Sequence, residues 1–164
     1  IYKSEFTPFS MYPVVGEVEK CKNGLRNERE ARYIKNILGV IRRRLSSDHR
    51  NRPWTERVVI VTPSEAQCEC IKKETDPITL GGITIITTKE SKNVSSDVVI
   101  YSALFSQGTP KEYLVPEPFA SRNVAQCIPV ARYSLIVIGD IEWNMSKGGK
   151  IWKYLNYVHQ ESKK

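Results

Sequence analysis

Four short apolar runs, rich in β-branched residues, constrain the fold of this chain more than any other feature of its sequence. They cover residues 58–61, 83–86, 98–101 and 133–138. Short apolar runs without polar alternation are typical of strands that are buried on both faces of a parallel sheet. We therefore expect four such strands, and we expect those at 83–86 and 98–101 to be largely buried.

Helical segments separate these runs. Between residues 27 and 47 the apolar side chains recur at steps of three and four, which predicts an amphipathic helix. The arginine triplet at 42–44, near its end, fits either the negative end of the helix dipole or a phosphate contact. A second helix begins after Ser64, where Gln67 at the N3 position predicts a capping box. With further helices at 121–127 and 151–158, the alternation predicts an α/β sandwich around a mainly parallel sheet.

Length and composition are those of one domain. A chain of 164 residues, 40% of them hydrophobic, can bury roughly two-thirds of its unfolded surface. We expect a single domain over 1–164, with an extended N-terminal arm at 1–12 and a polar tail at 160–164. The first 12 residues lack the apolar segment of a signal peptide, and no stretch approaches the ~18 apolar residues of a membrane span. Since the chain begins with Ile1, we expect it to be a piece of a longer protein.

The net charge and the cysteine content limit the kinds of binding partner and the cellular location that we expect. Lys and Arg outnumber Asp and Glu by 25 to 18, and the net charge of +7 favours RNA, DNA or an acidic protein. Solubility is the alternative use for such a charge. The cysteines at 21, 68, 70 and 127 have no paired C-x-x-C spacing, so neither a zinc site nor a disulfide framework is expected. Reduced thiols predict a cytoplasmic or nuclear location, without a membrane partner.

No single stretch is a catalytic signature. In a parallel sheet ligands bind beyond the carboxyl ends of the strands, here in the loops after residues 61, 86, 104 and 138. The one candidate for a phosphate-binding G-x-x-x-x-G-K-[ST] loop ends at residues 149–151. Asn144 stands at its first glycine position and Ile151 at its hydroxyl position, so no phosphate loop is encoded. The long connection at 105–119 has a length that is more often functional than structural.

Four segments in chain order carry a resemblance to a known family. Residues 27–31 read N-E-R-E-A, like an N-x-x-E-A element, and residues 59–67 read V-I-V-T-P-S-E-A-Q, like I-x-x-T-P-Y-x-x-Q. Residues 87–100 lie where T-V-D-x-x-Q-G-x-E-x-D-x-V-I is expected, and residues 123–133 are similar to N-V-A-x-T-R-A-R followed by a strand. Together they resemble the second RecA-like domain of superfamily-1 helicases of the nonsense-mediated-decay and senataxin type. The resemblance implies a RecA-like three-layer sandwich.

The resemblance also implies binding positions. It assigns nucleotide binding to Asn27, Glu30 and Arg132. It assigns nucleic-acid binding to Thr62, Pro63, Gln67, Thr87, Asp97 and Asn123. Structural roles are the alternative, because Gln67 and Asn123 can cap helices, Asp97 can begin a strand and Arg132 can be a surface residue. No cofactor is expected on this chain itself, and ATP with Mg would bind only if an upstream RecA-like domain completes the site.

The departures from the family pattern concern the groups nearest the nucleotide. Lys92, Asn93 and Ser95 stand where the family has Gln, Gly and Glu, of which the Gly and Glu lie beside the nucleotide phosphates. Residues 126–130 replace the stretch that holds the transition-state arginine, and Ser64 replaces an aromatic residue. An arginine of that kind contributes roughly 10³ to 10⁵ in rate, so its absence predicts almost no ATP hydrolysis.

Three functions are compatible with these patterns. The first is a helicase-like scaffold with degenerate ATPase chemistry, which holds single-stranded RNA or DNA or a protein partner. The second is half of an active ATP-dependent helicase whose phosphate loop lies on an upstream domain. The third is an unrelated α/β interaction module. Binding of a single strand at low salt separates the third from the other two, and ATP turnover separates the second from the first.

Overall fold

The expected α/β three-layer sandwich is confirmed in the computed structural model, which describes residues 7–46, 52–113, 118–147 and 149–164. A parallel sheet forms the middle layer and helices cover both of its faces, as in Rossmann-like and RecA-like domains. In chain order the elements are β1 (Phe9–Pro13), β2 (Glu19–Cys21), β3 (Gly24–Arg26), α1 (Glu28–Ser46), β4 (Val58–Thr62), α2 (Glu65–Thr79), β5 (Thr84–Thr87), β6 (Ser96–Ser102), α3 (Pro118–Cys127), β7 (Ala131–Gly139), α4 (Ile141–Lys147) and α5 (Lys150–Ser162).

The central sheet contains five strands in the spatial order β1-β7-β6-β4-β5. Every neighbouring pair in it is parallel. Strands β4 and β6 have a strand on each side and helices on each face, so all of their residues are buried. The short strands β2 and β3 pair separately as an antiparallel hairpin.

Alternate side chains of the strands build one core on each face of the sheet, because successive residues of a strand point to opposite sides. On one face, helices α1 and α2 pack against the strands through Ile34, Leu38, Ile71, Ile60, Ile100 and Ile138. On the other face, helices α3 and α5 pack through Val124, Cys127, Trp152, Leu155, Val61, Tyr101 and Val137. The apolar periodicity of α1 therefore marks a buried stripe, as predicted.

The two edge strands of the sheet, β5 and β1, differ from what the sequence predicted. Strand β5 is less buried than we expected, because it lies at one edge; Thr84 is exposed and Ile85 and Ile86 are half-buried. At the other edge, β1 occupies much of the segment expected as an extended arm. Its sequence, FSMYP, lacks β-branched residues, so no apolar run indicated a strand. Residues 1–6 lie outside the described residues.

Two smaller elements also went beyond the prediction. The β2–β3 hairpin was not expected, and the Asn23-Gly24 pair is the sequence signal for it. Helix α4 was not expected either, while α3 begins earlier than residue 121, at Pro118. The polar tail expected at 160–164 is mostly the last turn of α5, because that helix continues to Ser162.

Candidate functional site

Strands β4 and β6 are neighbours in the sheet, but the chain continues from them to opposite faces of the sheet. Helix α2, which follows β4, packs on the same face as α1, whereas α3, the helix after β6, packs on the other face. In open parallel sheets such a divergence leaves a crevice beyond the carboxyl ends of the strands, where ligands bind. Thr62 and Ser102 end these two strands, and the Thr62 hydroxyl group donates to the Ser102 carbonyl oxygen at 3.1 Å.

Polar side chains from the start of α1 fill this crevice. The Glu30 Oε1 atom accepts hydrogen bonds from the Ser102 hydroxyl group at 2.8 Å and from the Leu104 N–H group at 2.9 Å. Asn27 Nδ2 donates to Glu30 Oε2 at 3.0 Å and to the Leu104 carbonyl oxygen at 3.3 Å. These bonds hold Leu104 in a left-handed conformation, with φ of 69°, which is uncommon for a bulky residue. Asn27 and Glu30 are both 0% exposed.

Gln67 joins α2 to this network. Its Oε1 atom accepts the Asn27 N–H group at 2.7 Å, and its Nε2 atom donates to the Asn27 carbonyl at 3.0 Å and the Ser102 hydroxyl at 3.2 Å. The predicted capping box is therefore wrong. The Ser64 side chain makes no cap bond to its own helix, and its Oγ atom instead accepts the Leu25 N–H group at 3.2 Å. Gln67 and Ser64 bond to partners on other elements instead, because water can bond the N–H groups at the start of a helix but cannot reach the buried partners.

Burial favours the protonated form of the Glu30 carboxyl group. Complete burial raises its pKa from 4.5 to about 8, since the charged form loses its hydration, and the Asp140 carboxylate raises it further. The bonds from the Leu104 N–H group and the Ser102 hydroxyl group act in the opposite direction. In the described structure Glu30 is a structural group that is covered by protein, and the assignment of Asn27 and Glu30 to nucleotide binding stays a prediction.

Asp140 lies directly after β7, at the same carboxyl end of the sheet, and no sequence motif predicted a role for it. Its Oδ2 atom accepts the Ser106 hydroxyl group at 2.6 Å, and its Oδ1 atom accepts the Trp143 N–H group at 3.1 Å, which caps helix α4. Asn144, in turn, donates to the carbonyl oxygens of Phe105 and Asp140. The signal available in the sequence was a short polar residue directly after the last apolar run.

A cleft of about 220 Å³ lies outside the buried network, beyond the ends of β4, β5 and β6. We call it the carboxyl-edge cleft. Its lining includes Pro63, Thr87, Lys89, Phe105 and Tyr113. Thr87 is oriented by its loop, because its hydroxyl group donates to Glu90 Oε1 at 2.9 Å. Two of the residues assigned to nucleic-acid binding, the half-buried Pro63 and the 7% exposed Thr87, thus line the cleft, whereas Thr62 and Gln67 lie beneath it and are 0% exposed.

Asp97 and Arg132 lie at the other end of the strands from the cleft, near the amino ends of β6 and β7. The Asp97 Oδ2 atom is 2.9 Å from the Nε atom of Arg57, and both side chains are buried. Arg132 is half-exposed; its guanidinium is 3.6 Å from Asp97 Oδ1, and its Nε atom donates to Ser95 Oγ at 2.9 Å. Arg57 carries no motif and was not predicted. The three residues assigned to nucleotide binding therefore do not lie together.

Asn123 ties α3 to the loop that follows β5. Its Oδ1 atom accepts the Thr88 hydroxyl group at 2.8 Å, and its carbonyl oxygen accepts the Cys127 thiol at 3.6 Å. The interpretation of Asn123 as a helix cap is wrong, because α3 begins at Pro118 and Asn123 lies inside it. Asp97, by contrast, does lie at the start of its strand, as expected.

A second pocket, of about 470 Å³, lies between the loop at 88–95 and the end of α3. We call it the loop pocket. Its lining includes Lys89, Lys92, Asn93, Gln126 and Pro129. Asn93 has φ of 66°, a left-handed conformation that glycine adopts without cost and that asparagine tolerates best among other residues. The backbone at Asn93 therefore has a conformation that a glycine would adopt more readily.

Metal and thiol chemistry find little support in the described residues. No group of three or more His, Cys, Asp or Glu side chains among them is arranged to hold a metal ion. The cysteines are free thiols. Burial raises the pKa of Cys68 and Cys127 to about 12 and that of Cys70 to about 11, so these three thiols stay protonated and poorly nucleophilic at neutral pH.

Membrane insertion by a helix finds no support there either. Throughout the described ranges, each helix is too short or too polar to cross a bilayer.

Comparison with known proteins adds little to this geometry. No protein-family model and no curated protein sequence matches the chain. Among solved structures, the chain is similar to a chorismate mutase/shikimate 5-dehydrogenase fusion protein from Clostridium acetobutylicum. That similarity covers 90% of this chain and 67% of the other, with 13% sequence identity and a TM-score of 0.22. A likeness this weak carries no argument about function.

The buried Glu30 makes stability depend on pH. Between pH 4.5 and about 8 the folded protein keeps the Glu30 proton while the unfolded chain releases it. The free energy of unfolding should therefore fall as pH rises through this window, by up to about 1.4 kcal/mol per pH unit from this group. Glu30→Gln, which cannot ionise, should flatten the dependence. Urea denaturation across the pH range measures it, and an identical slope in the variant would contradict the burial of Glu30.

The ion pair between Asp97 and Arg57 should contribute strongly to stability. Asp97→Asn removes the carboxylate from a buried guanidinium and should lower the free energy of unfolding by about 3–5 kcal/mol. Arg132→Ala removes the half-exposed partner of the same carboxylate and should cost less than about 1 kcal/mol. Urea denaturation at one pH compares the two variants. A larger loss in Arg132→Ala than in Asp97→Asn would refute this account of the cluster.

Proposed function

We propose that this chain is the second RecA-like domain of a superfamily-1 helicase-like protein, with degenerate ATPase chemistry, and that it holds single-stranded RNA or DNA or a protein partner. The observation that carries the proposal is the loop pocket, because the two elements that depart most from the family pattern meet there. The resemblance puts a phosphate-binding Gly and Glu in the loop at 88–95 and a transition-state arginine near the end of α3. Here the charged side chains that line this pocket are Lys89 and Lys92.

Two lysines can attract a phosphate group, but they do not supply the other groups that hydrolysis needs. Phosphoryl transfer uses carboxylates that hold the metal, a group that orients water and, in many enzymes, an arginine. Ser95 offers a hydroxyl group at the family's glutamate position. Arg132, the remaining candidate, contacts Ser95 and Asp97 and is not among the residues that line the pocket. These contacts favour a degenerate site over an active one.

The carboxyl-edge cleft supports the nucleic-acid part of the proposal. Pro63 and Thr87, which the resemblance assigns to nucleic acid, line it together with Lys89 and the partly buried ring of Tyr113. The lining also contains the carboxylate of Glu65, and the Phe105 ring is buried, with 3% of the residue exposed. A lysine can pair with a phosphate, and an aromatic ring can stack on an unpaired base. The net charge of +7 adds a long-range attraction for any polyanion.

Binding of a fluorescent oligouridine, followed by anisotropy, tests the nucleic-acid part. With three phosphate contacts, the affinity should fall about 20-fold between about 50 and 200 mM salt, since each contact adds roughly 0.7 to the logarithmic slope. Lys89→Ala should weaken binding and remove about one contact from the slope. Lys72→Ala, an exposed lysine on α2, is the matched control and should change neither quantity. Absence of binding at the lowest salt would favour the unrelated interaction module.

ATP turnover tests the degenerate part. We expect turnover at background level for the chain and for any longer natural protein that contains it, because the lining of the loop pocket lacks a carboxylate and an arginine. Phosphate release measured with and without Arg132→Ala is the readout. Turnover that depends on Arg132 would support instead an active helicase whose phosphate loop lies on another domain.

A further inference from the structure

Helix α5 presents an outer face that the described part of the chain leaves open. Its inner face is anchored by Trp152 and Leu155, which are buried in the core. Near its end, the His159 ring packs edge-on against Phe9 of strand β1, with the ring centroids 6.4 Å apart. These contacts fix the rotation of the helix, so the residues of its outer face keep a constant orientation.

Four residues of this outer face form a surface that we call the tyrosine–lysine stripe: Lys150, Lys153, Tyr154 and Tyr157. Their spacing by three and four residues places them on one side of the helix, with about 5–6 Å between neighbouring Cβ atoms. All four are exposed, and each tyrosine is 62% exposed. Two neighbouring rings so open to water form a large amphipathic surface that the described ranges of the chain leave uncovered.

The stripe is also positively charged. Neither Lys150 nor Lys153 forms a salt bridge with any residue that the structure describes. The carboxylate that α5 does carry, Glu161, is 2.9 Å from Lys164 and is thereby neutralised. The face therefore offers two ammonium groups beside two open rings, and the one acidic side chain of α5, Glu161, lies four residues after Tyr157 and pairs with Lys164.

We propose that the tyrosine–lysine stripe binds single-stranded nucleic acid, with bases stacked on Tyr154 and Tyr157 and phosphates on Lys150 and Lys153. This inference rests on the nucleic-acid binding proposed above and adds a second contact surface to it, separate from the carboxyl-edge cleft. Stacking on a ring needs a base whose face is open, which selects single strands over duplexes. The lysines complement the charge of the backbone, and their contribution depends on salt.

An acidic protein surface is the other partner that the charge alone would suit. Such a partner would pair with Lys150 and Lys153 but would gain little from a flat ring face. A chain of bases and phosphates, in contrast, matches both chemistries of the stripe at once. The presence of two lysines and two open tyrosine rings on one face is therefore the observation that favours nucleic acid.

Oligouridine binding by matched double variants tests the assignment. Tyr154→Ala with Tyr157→Ala should weaken binding on the order of fivefold or more for each ring that stacks, whereas Tyr154→Phe with Tyr157→Phe keeps both rings and should bind like the wild type. Lys150→Ala with Lys153→Ala should weaken binding and reduce the logarithmic salt slope by about 1.4, from two lost phosphate contacts. Lys72→Ala with Lys73→Ala removes the same charge from the exposed side of α2 and should change neither value.

Photocrosslinking gives a readout that a change in folding would not imitate. An oligonucleotide that contains 4-thiouridine should crosslink to Tyr154 or Tyr157, as identified by mass spectrometry of the peptides. Wild-type binding that is unchanged in every α5 variant would overturn the stripe while leaving the proposed function intact. If the wild type itself does not bind the oligonucleotide, both the stripe and the proposed nucleic-acid binding would be overturned. Competition by polyglutamate together with an unchanged tyrosine-to-alanine variant would assign the stripe to an acidic protein instead.

Discussion

The hydrogen-bond network of the buried Glu30 side chain is the constraint on which the carboxyl ends of the central strands depend. It joins the end of β6 to the start of α1, and Asn27 extends the same network to Gln67 of α2. A buried charge at this point would be costly, but a neutral carboxyl group with several hydrogen bonds is tolerated. Because this network fills the crevice at the point where the helices diverge, the open surface for ligands moves outward, to the carboxyl-edge cleft.

The charged residues of this protein include a buried pair and several exposed lysines. Asp97 and Arg57 neutralise each other inside the amino edge, where their pairing joins the starts of β4 and β6. Lys89, Lys92 and the lysines of α5 instead lie on open surfaces, where they can contribute to the attraction of a polyanion. These positive charges thus lie in water, where an unpaired charge destabilises the fold less than in the core.

The loop pocket connects the resemblance with the geometry. Asn93 has a left-handed backbone, a conformation that glycine adopts more readily, and it contributes to the lining of the pocket. Pro129 and Val130, just after the end of α3, form an apolar part of the pocket wall. The packing of strands and helices leaves the chemistry of such a pocket open, because chemistry depends on the residues of a site rather than on the fold.

Local patterns were enough to predict the layers of the fold. The β-branched runs at 58–61, 98–101 and 133–138 became strands, and the periodic segment after residue 27 became α1, because burial favours such segments wherever they lie in the sheet. Strand β1 escaped prediction, since its stability comes from pairing with β7 rather than from its own residues.

The sequence by itself determined the main helices, the four apolar strands and the parallel arrangement of the central sheet, but not β1, the β2–β3 hairpin or α4. Only the tertiary structure decided what the polar residues do. Gln67 bonds to Asn27 and Asp97 to Arg57, each across 40 positions of the chain, and Asn123 bonds to Thr88 across 35. Periodicity predicts apolar burial, because burial requires only that a residue lie on the inner side of its helix or strand. A hydrogen bond requires one particular partner, and only folding brings that partner close enough.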